Sequence, residues 1–246
     1  ANKGFRQNRS LICYRTIVIN NLNKMNKFKL LSIFTILVVF SFQAFSQGNL
    51  SLHFGPSFPM GEFGNDDIDD NEAGLAGMGF GAGLSYVYPL NDNGLGLYGG
   101  IDFIINPLSK DAKDDIQDAE GSTSEFTFPN NINIPISAGI DYTYKANDQL
   151  SLYGQGGLTL SLFKLTDFIW LEEGFDDYEQ KHDLSTSFGF NLGAGFIINN
   201  KFDIGLKYFG LGEHGIEGEY EYGTDDGNID YDQKVSLLMV TLGFRL

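Results

Sequence analysis

From residue 47 to the end of the chain, apolar and polar positions alternate with a period of two, and the 3.6-residue period of a helix is absent. In Leu150–Leu162 the even positions are Leu or Gly (Leu150, Leu152, Gly154, Gly156, Leu158, Leu160, Leu162). The odd positions are Ser, Tyr, Gln, Gly and Thr. Side chains along a strand point to opposite faces in turn, so this pattern defines one aliphatic surface and one small or polar surface. The same alternation runs through 50–58, 78–88, 95–105, 132–144, 186–198, 202–208 and 238–246, which predicts eight strands.

The connections also alternate. Strands two and three, four and five, and six and seven are joined by short polar turns at 90–94, 146–149 and 199–200. The other four connections are the long segments 59–76, 108–125, 164–183 and 210–233. An even number of antiparallel strands, with tight turns at one end and long loops at the other, is the layout of a bacterial outer-membrane barrel. Eight strands enclose a space just wide enough to be filled by side chains. The Gly- and Ser-rich face suits that narrow interior, and the Leu, Ile, Phe and Tyr face suits hydrocarbon. Tyr86, Tyr88, Tyr142, Tyr144 and Tyr208 suit an interfacial aromatic girdle. The fold class expected is all-β: an eight-stranded antiparallel transmembrane β-barrel with short periplasmic turns and four long extracellular loops, spanning 47–246.

The stretch before the barrel is of a different kind. Residues 1–46 hold seven basic residues and no acid. From Met25, Lys27 and Lys29 precede an uncharged apolar run over 30–42, and Ala44 and Ser46 place small residues before Gln47. That is the arrangement of a secretory signal peptide, here 25–46. The run is shorter than the ~20 residues a spanning helix needs. Residues 1–24 precede this start methionine and are read as upstream sequence outside the natural fold.

Composition narrows the classes further. The chain carries 32 acidic against 16 basic residues, a net charge of −16. A nucleic-acid partner would need a basic stripe, so none is expected. The single cysteine, Cys13, excludes a disulfide framework and a cysteine-rich zinc site. No cofactor is expected.

The export signal, the eight alternating segments, the loop asymmetry and the last segment, Val235–Leu246, together resemble the small outer-membrane beta-barrel domain family, the PorT-like and OmpA/OmpX-type barrels of Gram-negative bacteria. The resemblance implies residence in the outer membrane after signal-peptide cleavage, contact with outer-membrane lipid, and insertion by the barrel-assembly machinery. In such barrels the final strand ends in alternating hydrophobics that this machinery reads. Leu242, Phe244 and Leu246 match that signal, with a terminal Leu where the family has an aromatic.

Six charged or titratable residues fall on the inward face: His53, Asp102, Asp141, Asp203, Lys207 and Arg245. Charges in a narrow interior are costly unless paired. Asp203 and Arg245 are expected to pair near the periplasmic rim, and Lys207 to meet Asp102 or Asp141 deeper in. Such a network either fixes strand register or forms an ion path. The four long segments hold 27 of the 32 acids. They point to divalent cations or envelope protein partners at the cell surface. Asp226, Asn228, Asp230 and Asp232 space oxygens as the start of a calcium loop does. Tyr231 and Leu237 stand where such a loop needs Gly and Glu, so no EF-hand is present. His182, His214 and Ser185 are the residues a lipid-modifying enzyme could use, but they show no recognised active-site spacing. Trp170, the sole tryptophan, sits in an acidic loop. The expected function is non-enzymatic: a barrel with a side-chain-filled lumen, acting through acidic surface loops in envelope structure or in partner or cation contact. The alternatives are a narrow channel for small solutes or ions, and an outer-membrane lipid-modifying enzyme.

Overall fold

The computed structural model describes residues 48–120, 124–172 and 176–246. The expected signal peptide at 25–46 and the stretch 1–24 lie outside the described residues. Eight strands close into a ring: β1 (Asn49–Pro59), β2 (Gly79–Pro89), β3 (Leu95–Pro107), β5 (Asn130–Lys145), β6 (Leu150–Leu165), β9 (Leu184–Ile198), β10 (Phe202–Tyr222) and β11 (Asp225–Arg245). Every neighbouring pair in the ring is antiparallel, and closure comes from β1 on β11, with Leu52 opposite Phe244 and Phe54 opposite Leu242. Three short strands, β4 (Ser124–Thr127), β7 (Phe168–Glu172) and β8 (Tyr178–His182), add to the upper half of β10 in the order β10-β8-β7-β4.

The side-chain phase follows the alternation. Leu158 is 76 % and Phe188 80 % exposed, and Phe80, Ile140, Leu192 and Phe202 are also outward and exposed. Residues of the opposite phase, among them Ser57, Asn133, Ser161 and Thr241, are buried in the lumen. A water-soluble barrel would put its large apolar residues inside. Here the bulky face is outside, as hydrocarbon requires. Tyr88, Tyr142 and Tyr144 lie outward beside the short turns, at the level of an interfacial girdle.

Two features depart from the sequence reading. The segment 210–233 is not an irregular loop. β10 and β11 each run 21 residues and form a tall hairpin above the barrel, turning at Gly223. A β-bulge at Gly210/Gly212 inserts Leu211 and shifts the alternation by one residue, which breaks the period in the sequence. Gly212 has φ +82°, and a Cβ there would sit 2.5 Å from the Phe188 carbonyl oxygen, so only glycine fits. The outward face changes at this level, from Ile204, Leu206 and Tyr208 to Glu213, Glu217, Glu219 and Glu221. The bulge therefore marks the upper limit of the lipid-facing belt.

The second departure is inside. The sequence predicts a lumen of glycines, hydroxyls and matched ions, but its extracellular half is apolar. Phe63, Ile104, Phe163, Phe209, Leu211, Leu237 and Met239 form one buried cluster. Phe63 enters from a 3-10 turn at Gly61–Gly64 in the first long loop and meets Phe163 edge-on at 6.3 Å. A loop residue that folds back into a barrel carries no periodic signal, so the pattern could not reveal it. In the second long segment, 108–125, helix α1 (Lys110–Glu120) is capped by Ser109, whose hydroxyl accepts from the Ala112 N–H at 3.0 Å.

Candidate functional site

The inward-facing charges come together in two tiers. In the upper tier, β1, β3 and β10 deliver His53, Asp102 and Lys207 to one point. His53 Nε2 lies 2.5 Å from Asp102 Oδ1, and Lys207 Nζ lies 3.4 Å from the same oxygen and 2.8 Å from His53 Nε2. All three are buried. The buried Asp102 carboxylate and Lys207 ammonium match one another's charge, the balance a dry interior demands. Gly83 on β2 makes the space: a Cβ there would stand 2.4 Å from Asp102 Oδ1 and 2.7 Å from His53 Nε2.

The lower tier holds Asp141, Asp203 and Arg245 around a small cavity with Tyr153. The expected Asp203–Arg245 pair does not form, and Arg245 Nε has no hydrogen-bond partner. Asp203 instead lies over Gly243, which has no side chain to hold it off. Asp141 accepts from the Thr143 hydroxyl at 2.9 Å, and Lys207 reaches Asp102 rather than Asp141. The lower cavity has a volume of ≈ 20 Å³, room for about one water. Polar pairs also cross the lumen: Tyr98 donates to Asn191, Asn191 to Thr159 at 2.9 Å, and, beside the apolar cluster, Ser57 to Asn106 at 3.2 Å.

Above the belt, the hairpin sheet has two unlike faces. On its outer face Glu217 lies opposite Asp230 and Glu221 opposite Asp226. Asp226, Asn228, Asp230 and Asp232 are exposed along one side of β11, about 7 Å from each to the next. A strand spreads such residues in a row and does not gather them round one ion. Among the described residues no group of three or more His, Cys, Asp or Glu is placed to hold a metal. On the inner face an aromatic row crosses four strands: Tyr222 is opposite Tyr178, Tyr178 opposite Trp170, and Trp170 opposite Phe126. Phe126 and Trp170 stack with planes 9° apart. No local pattern marks this row, because its members are far apart in the chain and share only register.

The candidate catalytic residues are placed as follows. His214 Nδ1 and the Ser185 hydroxyl are hydrogen-bonded at 3.3 Å, a meeting their separation of 29 positions hid. His214 is fully buried and packs on Phe163 at 5.2 Å between ring centres. Burial pushes its pKa down to about 4, and its Nε2 has no partner. No carboxylate orients the ring, so it is a poor general base. His182 is also buried and its pKa lowered, first by burial and then by Lys164, which donates to the His182 carbonyl. The two histidines do not form a shared constellation.

Leu242, Phe244 and Leu246 lie outward and exposed on the last strand. Neisserial surface protein A has a similar solved structure, with a TM-score of 0.45 and 16% identity over 81% of this chain and 96% of that one. The attachment invasion locus protein Ail of Yersinia pestis gives 0.37 and 18% over 81% and 97%. OprG of Pseudomonas aeruginosa gives 0.44 and 12% over 81% and 96%. No curated protein matches the sequence. A family model described as the outer membrane protein beta-barrel domain matches residues 32–244. With the closed ring, the lipid-facing apolar belt and that match, the chain belongs to the outer membrane protein beta-barrel domain family.

Proposed function

We propose that this outer-membrane barrel is non-enzymatic and non-conducting, and that it works as a surface platform whose tall acidic hairpin contacts a basic partner in the envelope or outside the cell. The observation that carries this reading is the outer face of the hairpin. Glu217 and Glu221 on β10 lie directly opposite Asp230 and Asp226 on β11, Glu221 also lies opposite Glu179 on β8, and Asp232 extends the row, while Glu213 is opposite Lys234 and Glu219 opposite Lys181. Like charges directly opposite one another destabilise a strand pair. A chain that keeps such a ladder on an exposed face gains from a cationic surface that neutralises it. Divalent cations would supply the same neutralisation as diffuse counterions rather than in a built site. Export through a cleaved leader at 25–46, and recognition of Leu242, Phe244 and Leu246 by the assembly machinery, belong to the same reading.

The test is a pull-down from envelope membranes with the intact barrel and with a version whose β10–β11 hairpin is cut back to the level of Gly212. Partners that release with added salt and vanish on trimming support the proposal. Partners retained in full after trimming overturn it.

A further inference from the structure

A cavity of ≈ 200 Å³ opens at the extracellular mouth, between the first loop, β5, β6 and the base of the tall hairpin. Leu75, Leu108, Phe163, Leu165 and Ile216 line it together with Tyr231 and Gln233, and no charged side chain does. Asn131 also lines it and is 3 % exposed, and its side-chain amide nitrogen has no hydrogen-bond partner. A buried donor left unmatched is costly, so this amide calls for an acceptor in a mainly apolar space that Tyr231 and Gln233 also line.

We propose that this cavity is a binding pocket for a small, neutral, apolar molecule, about one aromatic ring in size, that carries a single hydrogen-bond acceptor. The size follows from the volume: a dry apolar cavity of about 150 Å³ already takes benzene. The neutrality follows from the lining, because a cation would be desolvated there with no carboxylate to meet it. An anion would also have to pass the acidic loop segment 62–72 and would find only amide and phenol groups. The acceptor follows from Asn131, whose N–H would donate to a carbonyl, ether or hydroxyl oxygen on the ligand. Phe163 in its wall belongs to the buried apolar cluster with Phe63, Leu211 and Leu237, so the molecule would be held at the mouth and not pass through the lumen. This pocket lies on the inner side of the hairpin and goes beyond the partner contact proposed for the outer face.

The experiment uses the full barrel in lipid nanodiscs, with fluorine NMR of 4-fluoroacetophenone as the probe. The wild-type barrel should broaden and shift the probe line, and unlabelled acetophenone should reverse the effect. Ala73→Trp, and separately Leu165→Trp, fill the cavity and should leave only the signal of probe partitioned into lipid. Asn131→Leu keeps the apolar shape and should weaken binding about fivefold, the worth of one neutral hydrogen bond. 4-Fluorobenzoate, of similar size but charged, should not bind. Heat-modifiable migration on gels confirms that each variant is folded. If the wild-type line matches that of empty nanodiscs, or if Asn131→Leu and fluorobenzoate bind as well as wild type and the neutral probe, the proposal is overturned.

Discussion

Lys207 and Asp102, 105 positions apart in the chain, meet across the lumen at 3.4 Å, with the His53 imidazole wedged against both. Three strands that are not consecutive in the ring are tied at one height by this contact. Removing one member of a buried pair leaves the other charge unmatched, which costs about 3–5 kcal/mol, whereas removing both is far milder. Lys207→Met and Asp102→Leu should each lower the urea midpoint of the folded barrel in lipid vesicles, and the double variant should be less destabilised than the sum. Strict additivity would show that the three groups are not coupled.

Gly212 permits the bulge that separates the lipid-facing belt from the acidic hairpin. Gly212→Val must adopt a left-handed backbone, at a cost of roughly 1–2 kcal/mol, and must also displace the Phe188 carbonyl. The expected result is a large fall in the fraction of barrel that resists unfolding on an unheated gel. Wild-type yield of the compact form would contradict the role given to this glycine.

His214 makes stability depend on acid. Its folded pKa is about 4 and its unfolded value 6.5, so between these limits the unfolded chain binds more protons. The stabilisation is complete above pH 6.5 and is lost as the pH falls towards 4, by about 3 kcal/mol in all. His182, also shifted down, adds in the same direction. Urea titrations at pH 7 and pH 4.5 should show this loss in the wild type and a flatter profile for His214→Gln.

The lumen should not conduct. Buried ion pairs, polar pairs and an apolar cluster fill the lumen, and the lower cavity has room for about one water. In planar bilayers the barrel should give no steady open-pore current. A sustained current in the wild type would favour the channel reading.

Reversing one charge should relieve the hairpin. Glu217→Lys places a cation opposite Asp230 and should raise the resistance of 210–233 to proteolysis, by an amount corresponding to about 0.2–1 kcal/mol. Unchanged or faster cleavage would mean that the facing carboxylates are already neutralised.

The barrel was legible in the sequence because lipid on one side and a narrow core on the other impose a strict period of two, and Leu150–Leu162 shows it without a break. The lumen charges were legible for the same reason: Asp102 and Lys207 fall on the small-residue phase. Two kinds of information were hidden. The bulge at Gly212 resets the phase, so a 21-residue strand reads as a short strand followed by an acidic loop. Contacts set by register between distant segments, such as Phe126 on Trp170 or His214 on Ser185, leave no local trace.

The height of β11 has one more effect. Its lower part lies between two neighbours, but β1 ends at Pro59 opposite Leu237, so from Asp225 to Gln233 β11 pairs, among the described residues, with β10 alone. That leaves a free backbone ladder on the cell surface, open to strand addition by a second barrel. Asp226, Asp230 and Asp232 guard it, because any identical edge that approached would bring the same anions. The carboxylates proposed to draw a basic partner would also oppose pairing of this edge with its own copy.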